Sequence, residues 1–203
     1  MNNSQNPKNS KKLVPGDSPD QKLRVYSDIS QLIAGPENMT PLVRVNRTNP
    51  QKAFEIYLKL ERYNPFGSIK DRIALAMLSE MALDGKTIVE PSAGNTGIAI
   101  AGLANALGVP VEIVISENTP EEKKVMLRLL GATVTEVSDS ICPRFPNEGA
   151  RGLVSAMVRS PRTRDKYISP NQYENELNVL AHYRTTGPEI WRQTKGKVTH
   201  FFA

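Results

Sequence analysis

The chain has 203 residues, of which 39% are hydrophobic and 23% charged, and its formal net charge is +5. This composition is typical of a globular protein, and the length suffices for one large domain or two small ones. Residues 1–24 carry a surplus of +3, which leaves only +2 for the remainder of the chain. No basic stripe interleaved with aromatic residues runs through that remainder, so the charge does not favour a nucleic-acid-binding protein.

Cysteine and histidine are scarce. A single cysteine, Cys142, supports neither a disulfide framework nor a thiolate metal cluster, and we expect it to be a loop or packing residue. The two histidines, His182 and His200, are too few and too far apart to indicate a metal site. No apolar run approaches the length of a membrane span, and the first residues lack the apolar segment of a secretory signal. We expect a cytoplasmic protein.

The first third of the chain predicts a tail, a hairpin and a helix. Residues 1–22 are rich in Asn, Ser, Pro and Lys, which predicts a disordered tail. Residues 42–45 and 54–60 alternate apolar and polar positions, which predicts two strands joined by a turn near residues 48–50. Apolar residues then recur at every fourth position, which predicts a helix over about residues 68–83, ended by Gly85.

Strands and helices then alternate along the chain. The predicted strands cover residues 87–90, 109–115, 133–137, 167–168 and 198–202, and the predicted helices cover 95–107, 120–130, 148–159, 174–183 and 186–194. A loop is expected over residues 138–147, and a capping box with proline at the first helical position is expected at Thr119-Pro120-Glu121-Glu122. Because the links are short, the alternation predicts a parallel sheet.

Two turns carry the functional signal. Residues 91–97 (Pro-Ser-Ala-Gly-Asn-Thr-Gly) lie between a predicted strand and a predicted helix, where backbone N–H groups and the helix dipole favour an anion. They match neither a Walker A loop nor a dinucleotide-binding glycine motif. Residues 64–72 (Asn-Pro-Phe-Gly-Ser-Ile-Lys-Asp-Arg) put Lys70 in the first turn of another helix. A plain small-residue turn and a solvated lysine are the alternatives, but together the two segments favour lysine chemistry on a small anionic substrate.

These two segments, in this order, resemble the cysteine synthase / cystathionine β-synthase family of pyridoxal-phosphate enzymes. The resemblance covers about residues 38–203 and continues through residues 170–175, 181–183 and 185–191. It implies an α/β fold of type II with open, twisted, mostly parallel sheets. Residues 63–170 would form the smaller, mobile domain, and residues 23–62 and 171–203 would form part of the larger, cofactor-binding domain.

The resemblance also implies roles for individual residues. Lys70 would form the Schiff base with pyridoxal 5'-phosphate and shuttle the proton of the substrate Cα, for which its amine must be neutral. Asn95 would hydrogen-bond the ring hydroxyl oxygen of the cofactor. The substrate α-carboxylate would be held at Ser92, Ala93, Gly94, Thr96 and Gln172. No metal is implied.

The implied reaction is β-replacement on an activated serine. O-acetyl- or O-phospho-L-serine would react with sulfide to give L-cysteine, with the cofactor ring as electron sink. The resemblance further implies a homodimer for the full-length protein, with small-molecule substrates and neither a nucleic-acid nor a membrane partner.

The sequence departs from the family pattern in two places. The family loop usually reads Pro-Thr-Ser-Gly-Asn, and Ala93 lacks the hydroxyl of its counterpart. The glycine-rich loop that holds the cofactor phosphate, and a later Ser or Thr at the ring nitrogen, would lie beyond Ala203. We therefore expect the 203-residue chain to be weakly active or inactive, because the charge-assisted hydrogen bonds to the phosphate would be missing.

Other functions stay open at this stage. The chain could be a non-catalytic truncated interaction module, a cystathionine β-synthase-type enzyme that condenses serine with homocysteine, or a simple phosphate- or nucleotide-binding α/β domain. The arginine-rich run over residues 159–166 is most simply a solvated loop, with anion capture as its alternative.

Overall fold

The computed structural model describes residues 25–49, 53–138 and 148–203. Four features predicted from the sequence lie wholly or partly outside these ranges. They are the tail over residues 1–22, the turn of the hairpin at Pro50, nearly all of the loop over residues 138–147, and Cys142. No helix within the described ranges is both long enough and apolar enough to cross a membrane.

A small antiparallel sheet comes first in the chain. Its strands are β1 (Leu42–Arg44) and β2 (Tyr57–Lys59), with Val43 opposite Leu58. The predicted pairing is confirmed, although both strands are shorter than the alternation indicated. Short 3-10 helices flank this sheet at Ile29–Leu32 and Glu61–Tyr63.

The main sheet has four parallel strands in the order β5-β4-β3-β6. These are β3 (Thr87–Glu90), β4 (Val111–Ser116), β5 (Thr133–Val137) and β6 (Tyr167–Ile168). The predicted parallel sheet is confirmed, and β3, β5 and β6 have the predicted bounds. β-Branched residues dominate these segments, as expected for strands that helices cover on both faces.

Helices connect and cover these strands. In the described residues they are α1 (Lys70–Ser79), α2 (Asn95–Ala106), α3 (Glu121–Leu129), α4 (Gly149–Arg159), α5 (Glu176–Ala181) and α6 (Gly187–Gln193). A π-helical turn, His182–Thr186, joins α5 directly to α6, so the two predicted C-terminal helices form one interrupted helical segment.

Three predictions about element ends are wrong. Helix α1 ends at Ser79 rather than near Leu83, and Met81 and Leu83 contact the core from the non-helical segment that follows. The predicted capping box does not form, since Pro120 occupies the N-cap position of α3 and makes no side-chain capping bond. Residues 198–202 pair with no strand among the described residues, and Phe202 is 90% exposed.

The core lies on both faces of the main sheet. Alternate residues of a strand point to opposite faces, so Ile88 packs in the larger cluster with α1 and α2, whereas Val89 packs beneath α4. Ile113 and Val114 divide in the same way on β4. The sheet therefore separates a face covered by α1 and α2 from a face covered by α4.

A buried ion-pair network ties α1 to two distant parts of the chain. The Arg72 guanidinium donates to Glu61 through Nε (2.8 Å) and to Glu189 through Nη2 (2.9 Å). Lys59 Nζ donates to the same Glu189 carboxylate at 2.7 Å. The side chains of Arg72 and Glu189 are each 1% exposed. The network thus joins α1, the segment after β2, and α6.

We expect Arg72→Met to destabilise the fold strongly. The change leaves the carboxylates of Glu61 and Glu189 without their main partner, and breaking a buried ion pair in this way costs roughly 3–5 kcal/mol. Urea unfolding midpoints measure the effect. Arg128→Met is the matched control, because Arg128 pairs with Glu121 and Glu136 at the surface and such pairs contribute about 1 kcal/mol or less. Equal losses in the two variants would contradict the network's role.

Candidate active site

The turn after β3 closes tightly on the start of α2. Gly94 is the N-cap residue in an extended conformation, and the Gly97 N–H donates to Ser92 Oγ at 3.1 Å. A Cβ atom on Gly97 would lie 2.1 Å from the Ser92 carbonyl oxygen, so only glycine permits this approach. The predicted strand, turn and helix start are confirmed, and they leave the N-terminal end of a 12-residue helix facing the turn.

The segment that carries Lys70 packs against the same helix. A Cβ atom on Gly102 of α2 would lie 2.1 Å from the Phe66 ring, which shows how closely this segment contacts α2. Helices α1 and α2 pack against each other in the larger core cluster. Lys70 is the first residue of α1 and Asn95 is the first residue of α2. The structure therefore brings together the two helices that carry the predicted cofactor residues.

Asp71 organises the turn before α1. Its carboxylate accepts from the Phe66 N–H at 2.7 Å and from the Ser68 hydroxyl at 3.4 Å, and Asp71 is fully buried. The Lys70 N–H in turn donates to Ser68 Oγ at 3.0 Å. Burial raises the pKa of the Asp71 carboxyl to about 6, because desolvation outweighs these hydrogen bonds.

Glu90 joins two segments that carry predicted substrate residues. It ends β3 directly before the Pro91–Gly94 turn and is fully buried. One carboxylate oxygen accepts from the Ser169 hydroxyl at 3.0 Å and from the Asn171 N–H at 3.1 Å, and the other accepts from the Gln172 N–H at 3.3 Å. Desolvation raises the pKa of Glu90 despite these donors. One side chain therefore holds residues 169–172 against the carboxyl end of β3.

The predicted cofactor and substrate residues differ in exposure. Asn95 is exposed, and Lys70, Ser92, Gly94 and Gln172 are partly exposed. Ala93 packs its methyl group against the core and Thr96 is only 4% exposed, so both contribute mainly backbone groups to the turn.

Sequence reasoning missed Glu90, Asp71 and His182. Glu90 directly follows the apolar run Ile88-Val89, so the sequence indicated a buried carboxylate. A buried carboxylate needs hydrogen-bond donors, and this need was the signal that it holds another segment. His182 lies in the π-helical turn, and its Nδ1 is 3.0 Å from Thr186 Oγ1. Desolvation and the nearby charges of Lys70 and Arg72 lower the pKa of His182, so a third segment lies near Lys70.

We expect Asp71→Asn to remove a pH dependence of stability. Burial raises the pKa of Asp71 from 3.8 to about 6 on folding, so its contribution to stability is full below pH 3.8 and is lost as the pH rises through about 6. The free energy of unfolding of the variant, relative to the unsubstituted chain, should therefore rise by at most about 3 kcal/mol over that interval. Denaturant unfolding at several pH values measures it. Asp165→Asn changes an exposed carboxylate and is the control, and a flat difference for Asp71→Asn would contradict the prediction.

We expect Glu90→Gln to loosen residues 169–172. The amide can place an NH2 group at the position of Oε2, which now accepts from the Ser169 hydroxyl and the Asn171 N–H. Each buried donor left unsatisfied costs about 1–3 kcal/mol. The amide protons of Asn171 and Gln172 should then exchange with solvent roughly 5- to 100-fold faster. Glu176→Gln is the control, because Glu176 lies four residues after Gln172, at the exposed start of α5. Equal exchange rates in the two variants would show that Glu90 does not hold the segment.

Known proteins resemble this chain over most of its length. The family of pyridoxal-phosphate dependent enzymes matches residues 33–203. Cysteine synthase of Aquifex aeolicus is 41% identical over 172 residues, which cover 81% of this chain and 51% of that protein. Cysteine synthase B of Salmonella typhimurium is 41% identical over 167 residues, which cover 80% of this chain and 52% of that protein.

Solved structures agree with the sequence matches. The crystal structure of cysteine synthase from Entamoeba histolytica matches with a TM-score of 0.75 at 31% identity, covering 89% of this chain and 52% of that one. The fold of type II is therefore confirmed, and this chain spans about half the length of the relatives it matches. A lysine and an asparagine begin two packed helices beside a tight turn. Together with this arrangement, the matches show that the chain belongs to the family of pyridoxal-phosphate dependent enzymes.

Proposed function

We propose that this chain carries the lysine and the substrate-carboxylate turn of an enzyme that makes L-cysteine by β-replacement on an activated serine. The contact between the two helices that begin at Lys70 and Asn95 is the observation that carries the proposal. The similarity to cysteine synthases over four-fifths of the chain supports the choice of substrate class. O-acetyl- and O-phospho-L-serine both stay open as the activated serine.

The residues present fit pyridoxal 5'-phosphate. Gly97 lets the Ser92 carbonyl approach α2 more closely than a side chain would permit, which holds the backbone of the turn at the start of that helix. Lys70 lies on the neighbouring helix and is partly exposed, as an amine that reacts with an aldehyde must be. Asn95 is exposed at the first position of α2, where its side chain could meet the cofactor ring. When bound, the cofactor supplies an electron sink for charge that develops at the substrate Cα.

In this proposal the chain's own groups bind and orient the substrate and move one proton. The N-terminal end of α2 attracts the α-carboxylate, with donors from the Ser92 hydroxyl and the backbone of Ala93, Gly94 and Thr96. Gln172 lies on the other side of the carboxylate site in this proposal, and the Glu90 carboxylate fixes the position of Gln172 by accepting from its backbone N–H. Lys70 Nζ then takes the Cα proton as a neutral amine. The buried network at Arg72, two residues further along α1, holds this helix in place.

Three further expectations belong to the same proposal. Residues 63–170 would form the smaller, mobile domain, with residues 23–62 and 171–203 in the larger one. The full-length protein would be a cytoplasmic homodimer. The family resemblance supports the division into domains and the homodimer, and the single cysteine supports the cytoplasm.

The test is reductive labelling of the 203-residue chain with pyridoxal 5'-phosphate and borohydride, followed by peptide mapping. We expect the pyridoxyl group at Lys70, and Lys70→Ala should lower total labelling at least about tenfold, because the reactive amine is lost. Lys123→Ala changes an exposed lysine on α3 and should leave labelling unchanged.

Substrate competition tests the carboxylate turn. O-acetyl-L-serine added before reduction should protect Lys70, since its amine competes for the same aldehyde while the turn holds its carboxylate. O-acetyl-D-serine, at the same concentration, should protect much less. Labelling spread evenly over the lysines, or equal protection by the two enantiomers, would refute the proposal.

A further inference from the structure

A second cleft lies on the other face of the main sheet. Its volume is about 400 Å³, and its walls come from α4, from β6 with the residues around it, and from Lys86 and Pro91, which flank β3. This is the face on which Val89 packs beneath α4, opposite the face covered by α1 and α2. Nothing in the proposed reaction uses this cleft.

Three cationic side chains converge at one end of the cleft. Lys86 directly precedes β3, and Arg164 lies three residues before β6. Because β3 and β6 are parallel, their first residues lie at the same edge of the sheet. Arg159 is the last residue of α4, which returns the chain to that edge before β6 begins. Two members of the arginine-rich run therefore line the cleft together with a lysine from a distant segment.

These three cations have no acidic partner among the described residues. The carboxylate that lines the cleft, Glu174, lies near its other end and is paired with Arg151 at 2.6 Å. The Glu112 carboxylate on β4 lies near the Tyr167 hydroxyl but does not line the cleft, and it accepts from the Thr135 hydroxyl at 2.6 Å. Like charges that share one concave surface repel one another, and a bound anion relieves that repulsion.

The remaining walls fit the body of a small organic molecule. Val154 and Val158 of α4 give the cleft an apolar side, and Tyr167 of β6 adds an aromatic ring. The volume lies within the range of about 300–1,000 Å³ that is usual for small-molecule sites. Arginine side chains donate in pairs to phosphate oxygens, which favours a phosphate as the charged group.

We propose that this cleft binds a small phosphate ester, with the phosphate at Lys86, Arg159 and Arg164 and an apolar body against α4. The phosphate end lies at the start of β3, whereas the proposed substrate turn follows its end. A strand of four residues spans about 13 Å, so the two anion sites are separate. Pro91 and Asn171 line the cleft toward that turn, next to Ser92 and Gln172, so a bound ligand would contact the segments that carry the substrate residues.

Calorimetric titration of the 203-residue chain with phenyl phosphate and with inorganic phosphate, at fixed ionic strength, tests the proposal. We expect saturable binding of both, tighter for phenyl phosphate because its ring contacts the apolar wall. The double variant Arg159→Ala with Arg164→Ala should weaken binding at least about tenfold, since each arginine donates charge-assisted hydrogen bonds. Arg162→Ala is the matched control, because Arg162 lies in the same run but does not line the cleft.

Three results would overturn the proposal: no saturable binding of phenyl phosphate, an equal loss in Arg162→Ala, or unchanged affinity in the double variant. Unfolding midpoints identify any variant that fails to fold, and Lys86→Ala then tests the same end of the cleft from another segment. Reductive labelling at Lys70 should be unchanged in all these variants. Labelling that maps to Lys86 instead of Lys70 would count against the proposed function and not against the cleft.

Discussion

The Arg72 guanidinium, shared between the buried carboxylate of Glu189 and the half-buried carboxylate of Glu61, is the interaction on which the geometry near Lys70 depends. Placing these charges away from water is costly, so the network is stable only when Glu61, Glu189 and Lys59 all reach their partners. That requirement admits one position of α1 relative to α6 and to the segment after β2. The helix that begins at Lys70 is thereby fixed through the side chain of Arg72, two residues after the lysine.

Buried carboxylates also fix the two turns near the candidate site, the one before α1 and the one after β3. Asp71 gathers the donors of residues 66–68 before α1, and Glu90 gathers those of residues 169–172 at the end of β3. Each replaces water as the acceptor for backbone and hydroxyl donors in an apolar setting, which leaves the loops few alternative conformations. These loops are therefore ordered by the buried polar groups beneath them, and their exposed residues stay available to bind the substrate and cofactor of the proposed function.

The sequence predicted most of the architecture, because its signals were local. Alternation along β3, β5 and β6 and the strand-to-helix turn at residues 91–97 depend on neighbours in the chain, and the structure confirms them. Contacts between residues far apart in the chain could not be predicted in this way. Met81 continued the apolar period of α1 after the helix had ended, and residues 198–202 have strand-like composition but no pairing partner among the described residues. Glu90 was passed over because its donors lie about 80 residues further along the chain.

The contact between Phe66 and Gly102 has an evolutionary consequence. The aromatic ring occupies the space that any side chain at position 102 would need. A substitution at Gly102 is therefore acceptable only after Phe66 has become smaller, and a smaller residue at position 66 alone leaves a void against α2. The lysine-bearing segment and the helix that begins at Asn95 are thus bound to change as a pair, although 35 residues separate these two positions in the chain.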